Sequence, residues 1–324
     1  MNKILVTGAG GFIGSHLTEL LVKEGFEVKA FIHYNSKNNW GWLESSEVKE
    51  DVEFISGDIR DYDSVFNAAS GCETIFHLAA LIGIPYSYVS PLAYIKTNVE
   101  GTYNILQASK ELGTEHVLIT STSETYGTSQ YVPIDEKHPM VGQSPYSASK
   151  IAADQLAISY FKSFNLPVKI VRPFNTYGPR QSARAIIPTA ITQILSGKKE
   201  LNLGNLSPTR DLTFVKDTCA GFLEIYKSEK LYGEITNIGM SSEITVGYLV
   251  NKIATLLDKK IVISIDEKRV RPANSEVERL FCSNNKLLQN TNWKPKYDLD
   301  KGLIETIGWI KEHTQLYKPG IYNV

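Results

Sequence analysis

With 324 residues, 42% of them apolar and 21% charged, the chain is long enough for about two domains and a sizeable core, which excludes disordered, collagen-like and coiled-coil classes. Basic and acidic residues number 34 and 35, a net charge of −1; there is no broad footprint for nucleic acid or an anionic membrane, so any phosphate must be gripped locally. Cys72, Cys219 and Cys282 form no C-x-x-C pair and no His stands at zinc-ligand spacing, so the expectation is a reducing, cytoplasmic setting with no structural metal. The apolar run at Met1 to Val6 is too short for a secretory signal, and the longest apolar stretch, near Ile75 to Ile84, contains His77 and is too short to span a membrane.

Lys3 to Thr7 predicts a strand, and Phe12 to Glu24 a helix from the spacing of Phe12, Ile13, Leu17, Leu20 and Leu21. The alternation continues with strands near 28–32, 52–56, 74–78, 117–121 and 168–171 and helices at 61–69, 98–112 and 145–164. Such an order predicts an α/β, Rossmann-type doubly wound parallel sheet with helices on both faces. After Arg172-Pro173 the rhythm breaks into short, proline-marked pieces. The expected organisation is therefore a dinucleotide-binding domain over residues 1–172 and a smaller substrate domain over 173–324, with an apolar piece at 234–238 returning to the first sheet. The tail at 318–324 reads as a surface extension.

Between the first strand and its helix stand Gly8, Gly11 and Gly14, with Phe12 and Ile13 among them. Glycine there lets the backbone turn tightly and bring helix N–H groups to a pyrophosphate, so the predicted cofactor is a nicotinamide dinucleotide. The second strand ends in His33-Tyr34-Asn35-Ser36-Lys37, without the carboxylate that would hold a free ribose 2′-hydroxyl; these residues suit a 2′-phosphate, favouring NADP(H), with NAD(H) the alternative. Asp58 and Ile59, after the third strand, are placed to meet the adenine.

Tyr146 and Lys150 open a helix behind a candidate N-cap, Ser144, and Pro145. One turn apart they share a face, and a nearby cation favours tyrosinate, so Tyr146 reads as the base for a hydroxyl proton, with Lys150 also reaching the cofactor ribose. The same spacing recurs at Tyr226/Lys230, Tyr248/Lys252 and Tyr297/Lys301, so only its place after the fifth strand, beside Thr122, Ser123 and Glu124, makes it informative.

The Gly8/Gly11/Gly14 turn, Asp58, His77-Leu78-Ala79-Ala80, the Thr122 run, Tyr146/Lys150 and Arg172-Pro173-Phe174-Asn175-Thr176-Tyr177-Gly178-Pro179-Arg180 together resemble the extended short-chain dehydrogenase/reductase superfamily over nearly the whole chain. Thr122-Ser123-Glu124-x-Tyr126-Gly127 is similar to nucleotide-sugar 4,6-dehydratases, most closely the GDP-mannose type; Ser123 departs from the two-carboxylate pattern of the dTDP-glucose enzymes. The fuller string through Thr128, with Gln143 to Lys150 and Thr209-Arg210-Asp211, looks like the dehydratases of legionaminic acid biosynthesis. That resemblance implies a lyase acting on GDP-N-acetylglucosamine with a tightly held, regenerated cofactor. It assigns Tyr146 to oxidation at C4, Glu124 to the C5 proton, and Glu124 or an ordered water near Ser123 to the departing C6 hydroxyl.

Leu78, Ala79 and Ala80 would line the cofactor and Pro85 to Tyr88 the sugar. Asn175, Arg180, Arg210 and Arg271 are the diphosphate candidates, since guanidinium forks match phosphate oxygens; Arg180 and Arg271 are equally readable as surface ion pairs. The helices at 98–112 and 145–164 resemble those that pair between subunits, implying a homo-oligomer, dimer or tetramer, although Val99, Tyr103 and Leu106 also suit packing on the sheet. No nucleic-acid or membrane partner is expected. Within the resemblance the alternatives are a UDP-N-acetylglucosamine 4,6-dehydratase, a UDP-glucuronate decarboxylase and a 4-epimerase. A non-catalytic nicotinamide-sensing module would typically lack the Tyr or the Lys.

Overall fold

The computed structural model describes residues 3–321; Lys318 to Ile321 lie mostly exposed at the surface, and the rest of the expected tail, 322–324, lies outside the described residues. In chain order the first half runs β1 (Lys3–Thr7), α1 (Phe12–Lys23), β2 (Glu27–His33), β3 (Val52–Gly57), α2 (Tyr62–Ala69), β4 (Thr74–His77), α3 (Ile84–Val89), α4 (Pro91–Tyr94), α5 (Gly101–Leu112), β5 (His116–Thr120), α6 (Pro145–Phe164) and β6 (Val168–Pro173). The second half adds β7 (Asn175–Tyr177), α7 (Ile186–Leu195), β8 (Glu200–Leu203), β9 (Thr209–Arg210), β10 (Leu212–Phe214), α8 (Val215–Lys227), β11 (Ile235–Ile238), β12 (Ile244–Thr245), α9 (Val246–Leu256), β13 (Val262–Ile265), α10 (Asn285–Asn290) and α11 (Leu299–Glu312).

Seven strands form one sheet in the order β11-β6-β5-β4-β1-β2-β3, and every neighbouring pair is parallel. Strands buried on both faces need no polar alternation, which is why β4 and β6 are buried throughout their lengths. The chain departs in opposite directions from β1, toward β2 and toward β4. That reversal opens a crevice at the carboxyl ends of the strands, where ligands bind in such sheets. The expected return of 234–238 is observed as β11, paired in register with β6.

One face of the sheet is covered by α2, α5 and α6 around Leu5, Ile75, Ile105, Val117 and Ile170. The other is covered by α1 and α8. Its apolar cluster continues from Ile4 and Val6 through Phe222 to Ile310 without a break. The second half thus supplies an edge strand and a covering helix to the sheet, so the core crosses the expected boundary at residue 172. The remaining short strands pair as β7 with β10, β9 with β12 and β8 with β13. The helix expected from residue 98 is preceded by α4 and a π-helical turn, Ile95–Glu100, that runs into α5; Leu106 faces the core and Tyr103 the surface. No helix among the described residues is long and apolar enough to cross a membrane.

Candidate active site

At the switch point Gly8 sits at φ +69°, and a Cβ there would lie 2.8 Å from the Ala79 nitrogen. A Cβ on Gly14 would stand 2.1 Å from the Gly8 carbonyl, so helix and turn meet at a distance only glycine allows. The Thr7 hydroxyl braces the same corner by accepting the N–H groups of Leu78 (3.2 Å) and Ala79 (3.1 Å). With those acceptances made, Thr7 donates to His77 Nδ1 at 2.8 Å, leaving Nε2–H for Thr102 Oγ1 at 3.2 Å; Thr102 in turn donates to the Asn98 carbonyl. Burial holds the imidazole at about 3, far below its ordinary value, so it stays neutral and structural.

A cleft of about 880 Å³ opens over this corner. Gly8, Gly11, Phe12, Ile13, Gly14, His33, Asn35, Leu78, Ala79 and Ala80 line one end, together with Gly10. The helix α1 starts at Gly11 with no side-chain cap, leaving its first N–H groups to the cleft. A pyrophosphate fits such an end, because the orphan donors and the helix dipole both favour an anion. The other expected cofactor residues lie elsewhere. Tyr34, Ser36 and Lys37 stay outside the cleft lining. Asn35 instead builds their turn, donating to the His33 and Asn39 carbonyls and accepting the N–H of Lys37 and Asn39. Asp58 is engaged by Arg60, which holds its carboxyl down at about 2, and Ile59 buries its side chain in the core.

Thr122, Ser123, Glu124, Tyr146 and Lys150 all line the middle of the cleft. Thr122 caps a 3-10 turn, Ser123–Tyr126, by accepting the Glu124 N–H at 3.3 Å. The Glu124 carboxylate makes no hydrogen bond among the described residues, but it shares the cleft with Arg210 and attracts that guanidinium. Ser144 and Ser147 form a capping box that starts α6 with Pro145 at its first position. Tyr146, one residue on, is buried with its ring edge-on to Tyr94. Burial pushes its phenol above the ordinary value, and a hydrogen bond with Thr122 opposes this. Lys150 is held below the lysine range by burial, opposed by Asp154, and its ammonium donates to the Thr120 carbonyl at 2.5 Å. The cation expected to favour tyrosinate donates to a backbone carbonyl here, and burial is the largest influence on the phenol, toward its neutral form.

Behind the Ser123–Tyr126 turn runs a polar chain that the sequence does not announce. Arg172 donates to Asp154 (2.7 Å) and to Ser121 (3.1 Å), Ser121 donates to Asp154 (2.6 Å), and Arg172 stacks over Tyr126 at 4.4 Å. An arginine inside an apolar strand and an acid one turn beyond Lys150 were its signals.

At the far end, Asn175, Arg210 and Arg271 line the cleft, joined by Gln181, Arg184, Arg269 and Glu276, which the sequence did not single out. Asn175 Oδ1 and Gln181 Oε1 are buried with no partner among the described residues. Glu276 Oε1 accepts from Arg210 at 3.1 Å and lies 3.5 Å from Arg271. Arg180 is not brought to the cleft lining: its guanidinium binds Ser15 and Glu19 of α1, where a partly buried carboxylate takes the charge intended for a phosphate. Pro85 lines the cleft, and the Tyr88 hydroxyl reaches Ser275 at 2.6 Å.

Comparison with known proteins places this geometry. Residues 5–306 match the GDP-mannose 4,6 dehydratase family. The chain is 30% identical to a dTDP-glucose 4,6-dehydratase of Streptomyces antibioticus, covering 98% of this chain and 94% of the relative. It is 32% identical to a UDP-N-acetyl-alpha-D-glucosaminuronate decarboxylase of Bacillus cytotoxicus, covering 96% and 98%. Its fold is similar to the crystal structure of the dTDP-glucose 4,6-dehydratase DesIV of Streptomyces venezuelae, solved with NAD bound, with TM-score 0.88, 28% identity and coverage of 98% and 99%. The uncapped helix over a glycine turn, the Thr122–Glu124 turn facing Tyr146 and Lys150, and a match over nearly the full length show that this chain belongs to the GDP-mannose 4,6-dehydratase family, within the extended short-chain dehydrogenase/reductases that act on nucleotide sugars.

Proposed function

We propose that the protein is a nucleotide-sugar 4,6-dehydratase that converts GDP-N-acetylglucosamine to its 4-keto-6-deoxy derivative. The observation that carries this reading is Glu124, a carboxylate with no hydrogen bond among the described residues and attracted by Arg210, in the same cleft as Tyr146. Oxidation at C4 needs a base for one hydroxyl proton; loss of water across C5 and C6 needs a second base for a carbon acid. A bound nicotinamide dinucleotide supplies the oxidation at C4 and the matching reduction at C6, so no net oxidant is consumed. Tyr146, beside Thr122, takes the C4 hydroxyl proton. Glu124 removes the C5 proton that the C4 ketone has acidified, and Glu124 or a water at Ser123 protonates the departing C6 hydroxyl. Lys150 holds the cofactor ribose, while Arg210, Arg271 and Asn175 hold the diphosphate end.

Guanine rests on the similarity of the strings Thr122 to Thr128 and Gln143 to Lys150 to one dehydratase group. For the cofactor, no carboxylate ends β2, which favours NADP, whereas the DesIV relative was solved with NAD. The nucleotide released on denaturing the purified protein decides: NADP supports our reading and NAD overturns it. The outer faces of α5 and α6, with Tyr103 and Phe164 exposed, are read as the contact between copies of a homodimer, which light scattering in solution tests; a monomer rejects it.

Mass spectrometry after incubation with GDP-, UDP- and dTDP-sugars tests the reaction. Loss of one water from GDP-N-acetylglucosamine is expected, with UDP-N-acetylglucosamine next; turnover of the UDP sugar alone rejects guanine but keeps the dehydratase. A second reading, decarboxylation, is favoured by Ser123 in place of an acid and by the decarboxylase relative. Release of carbon dioxide from UDP-glucuronate, with no dehydration of any panel member, would establish it instead.

A further inference from the structure

Gln143 stands three residues before Tyr146, outside the cleft lining, and nothing in the proposed chemistry uses it. Its side chain nevertheless links two parts of the site, beside one direct bond between them, from the Thr128 hydroxyl to the Glu276 carbonyl at 3.4 Å. Gln143 Oε1 accepts the Thr128 N–H at 2.6 Å, just past the turn that carries Glu124. Gln143 Nε2 donates to the Asn274 carbonyl at 3.2 Å, and the Gln143 backbone carbonyl accepts the Ser275 hydroxyl at 2.7 Å. Asn274 and Ser275 lie between Arg271 and Glu276, which converge with Arg210 on the cleft.

We infer that Gln143 is a positioning residue that helps set the Glu124-bearing turn and the arginine-bearing segment 269–276 in register, so that the grip on the nucleotide diphosphate and the placement of Glu124 are coupled through its amide. The chemistry of the two ends dictates the residue. The Thr128 N–H can only donate and the Asn274 carbonyl can only accept, so the bridging side chain must offer an acceptor and a donor at once. An amide does this; a carboxylate keeps the first bond and loses the second, and a thioether of similar length loses both. The approach is built in on the turn side as well. Gly127 has φ +65°, and a Cβ there would stand 2.7 Å from Gln143 Oε1, so any other residue would push the amide away. A second tie holds the segment, because the Ser275 hydroxyl also meets the Tyr88 hydroxyl at 2.6 Å.

The inference rests on Arg210 and Arg271 as diphosphate ligands, and its test separates the two ideas. Binding of GDP and of UDP to the protein with its dinucleotide is measured by calorimetry, and kcat and KM on whichever panel sugar turns over, all at high ionic strength to mute added charge. Gln143→Met should weaken binding of the nucleoside diphosphate by about tenfold and lower kcat, since both bonds go. Gln143→Glu, which restores the acceptor for Thr128, should recover kcat while KM and Kd stay high. Ser275→Ala should raise Kd and KM more than it lowers kcat, which keeps the test open if Gln143→Met does not fold. Wild-type Kd in both Gln143 variants would overturn the inference and leave the diphosphate reading intact, as would a loss of kcat that Gln143→Glu does not relieve. Failure of the wild-type protein to bind either nucleotide would remove both. Weakened nucleotide binding in the variants of a protein that dehydrates nothing would remove only the dehydration.

Discussion

In the proposed reaction, Glu124 is the residue that separates an enzyme that eliminates water from one that only oxidises. Glu124→Gln keeps the size and the backbone bond to Thr122 but cannot take a proton, so the variant should bind substrate and stall before water leaves. Reduced nicotinamide should then accumulate, visible as near-ultraviolet absorbance, and dehydration at a near-normal rate would sink the role. Tyr146→Phe removes one hydroxyl and should abolish oxidation at C4 without unfolding the chain; activity near wild type would exclude Tyr146. Away from the site, Lys169 is wholly buried on β6 with its ammonium on the Tyr226 carbonyl and over the Tyr232 ring. Burial pushes it down to about 8. Because the folded value lies below the unfolded one, the folded state binds fewer protons between about pH 8 and 10.5, so stability rises with pH across that window, by about 3 kcal/mol at most. Lys169→Met should lose that rise, and parallel pH profiles of thermal stability for variant and wild type would refute it. Residue type and motif context single out Tyr146, Lys150 and Glu124 in the sequence, and the fold brings all three to one cleft. Spacing does not reveal that the distant Glu19 takes the Arg180 guanidinium, whereas the Arg60 that engages Asp58 stands only two residues away.

The elements of the sheet were readable because parallel strands buried on both faces are unbroken apolar runs punctuated by glycine and proline. The second half was not, since β9 and β12 are two residues each and owe their form to pairing rather than to their own pattern. The tie between α1 and the loop after β7 shows what such long-range geometry adds. Arg180 binds Glu19 at 2.7 Å and Ser15 at 3.1 Å, Ser46 donates to Glu19, and His16 Nε2 meets the Pro179 carbonyl at 3.1 Å. The helix whose uncapped first turn opens on the cleft is thereby fixed to the loop that follows Asn175. Arg180→Met leaves the Glu19 carboxylate with one hydroxyl, so it should cost about 1–3 kcal/mol of stability and weaken dinucleotide retention. Adding Glu19→Gln should relieve part of that cost. A double variant whose losses simply add, measured by thermal denaturation in a full cycle, would show that the two side chains do not act as a pair.

At the scale of the whole molecule, the two halves share one structure rather than meeting at a hinge. β11 extends the sheet beyond β6, and α8 lies on α1 and over the strands, with Tyr226 5.7 Å from Phe76. Trp293 and the backbone of Lys296 and Tyr297 are held by Asp217 of α8, and Tyr177 reaches the start of α11. Ile4, Val6, Phe76, Leu118 and Val171 belong to the cluster that these second-half elements complete. At about 2 kcal/mol for each large apolar side chain left in water, uncovering those five costs about 10 kcal/mol, as much as the whole net stability of an ordinary domain. A fragment ending at Arg172 should therefore show no cooperative thermal unfolding and no near-ultraviolet circular dichroism, although it contains every residue of the cofactor turn. The full chain should unfold in a single calorimetric transition whose van't Hoff and calorimetric enthalpies agree. Two resolved transitions, or a 1–172 fragment that melts sharply and binds a dinucleotide, would show instead that the first half folds on its own and that the second is an addition to it.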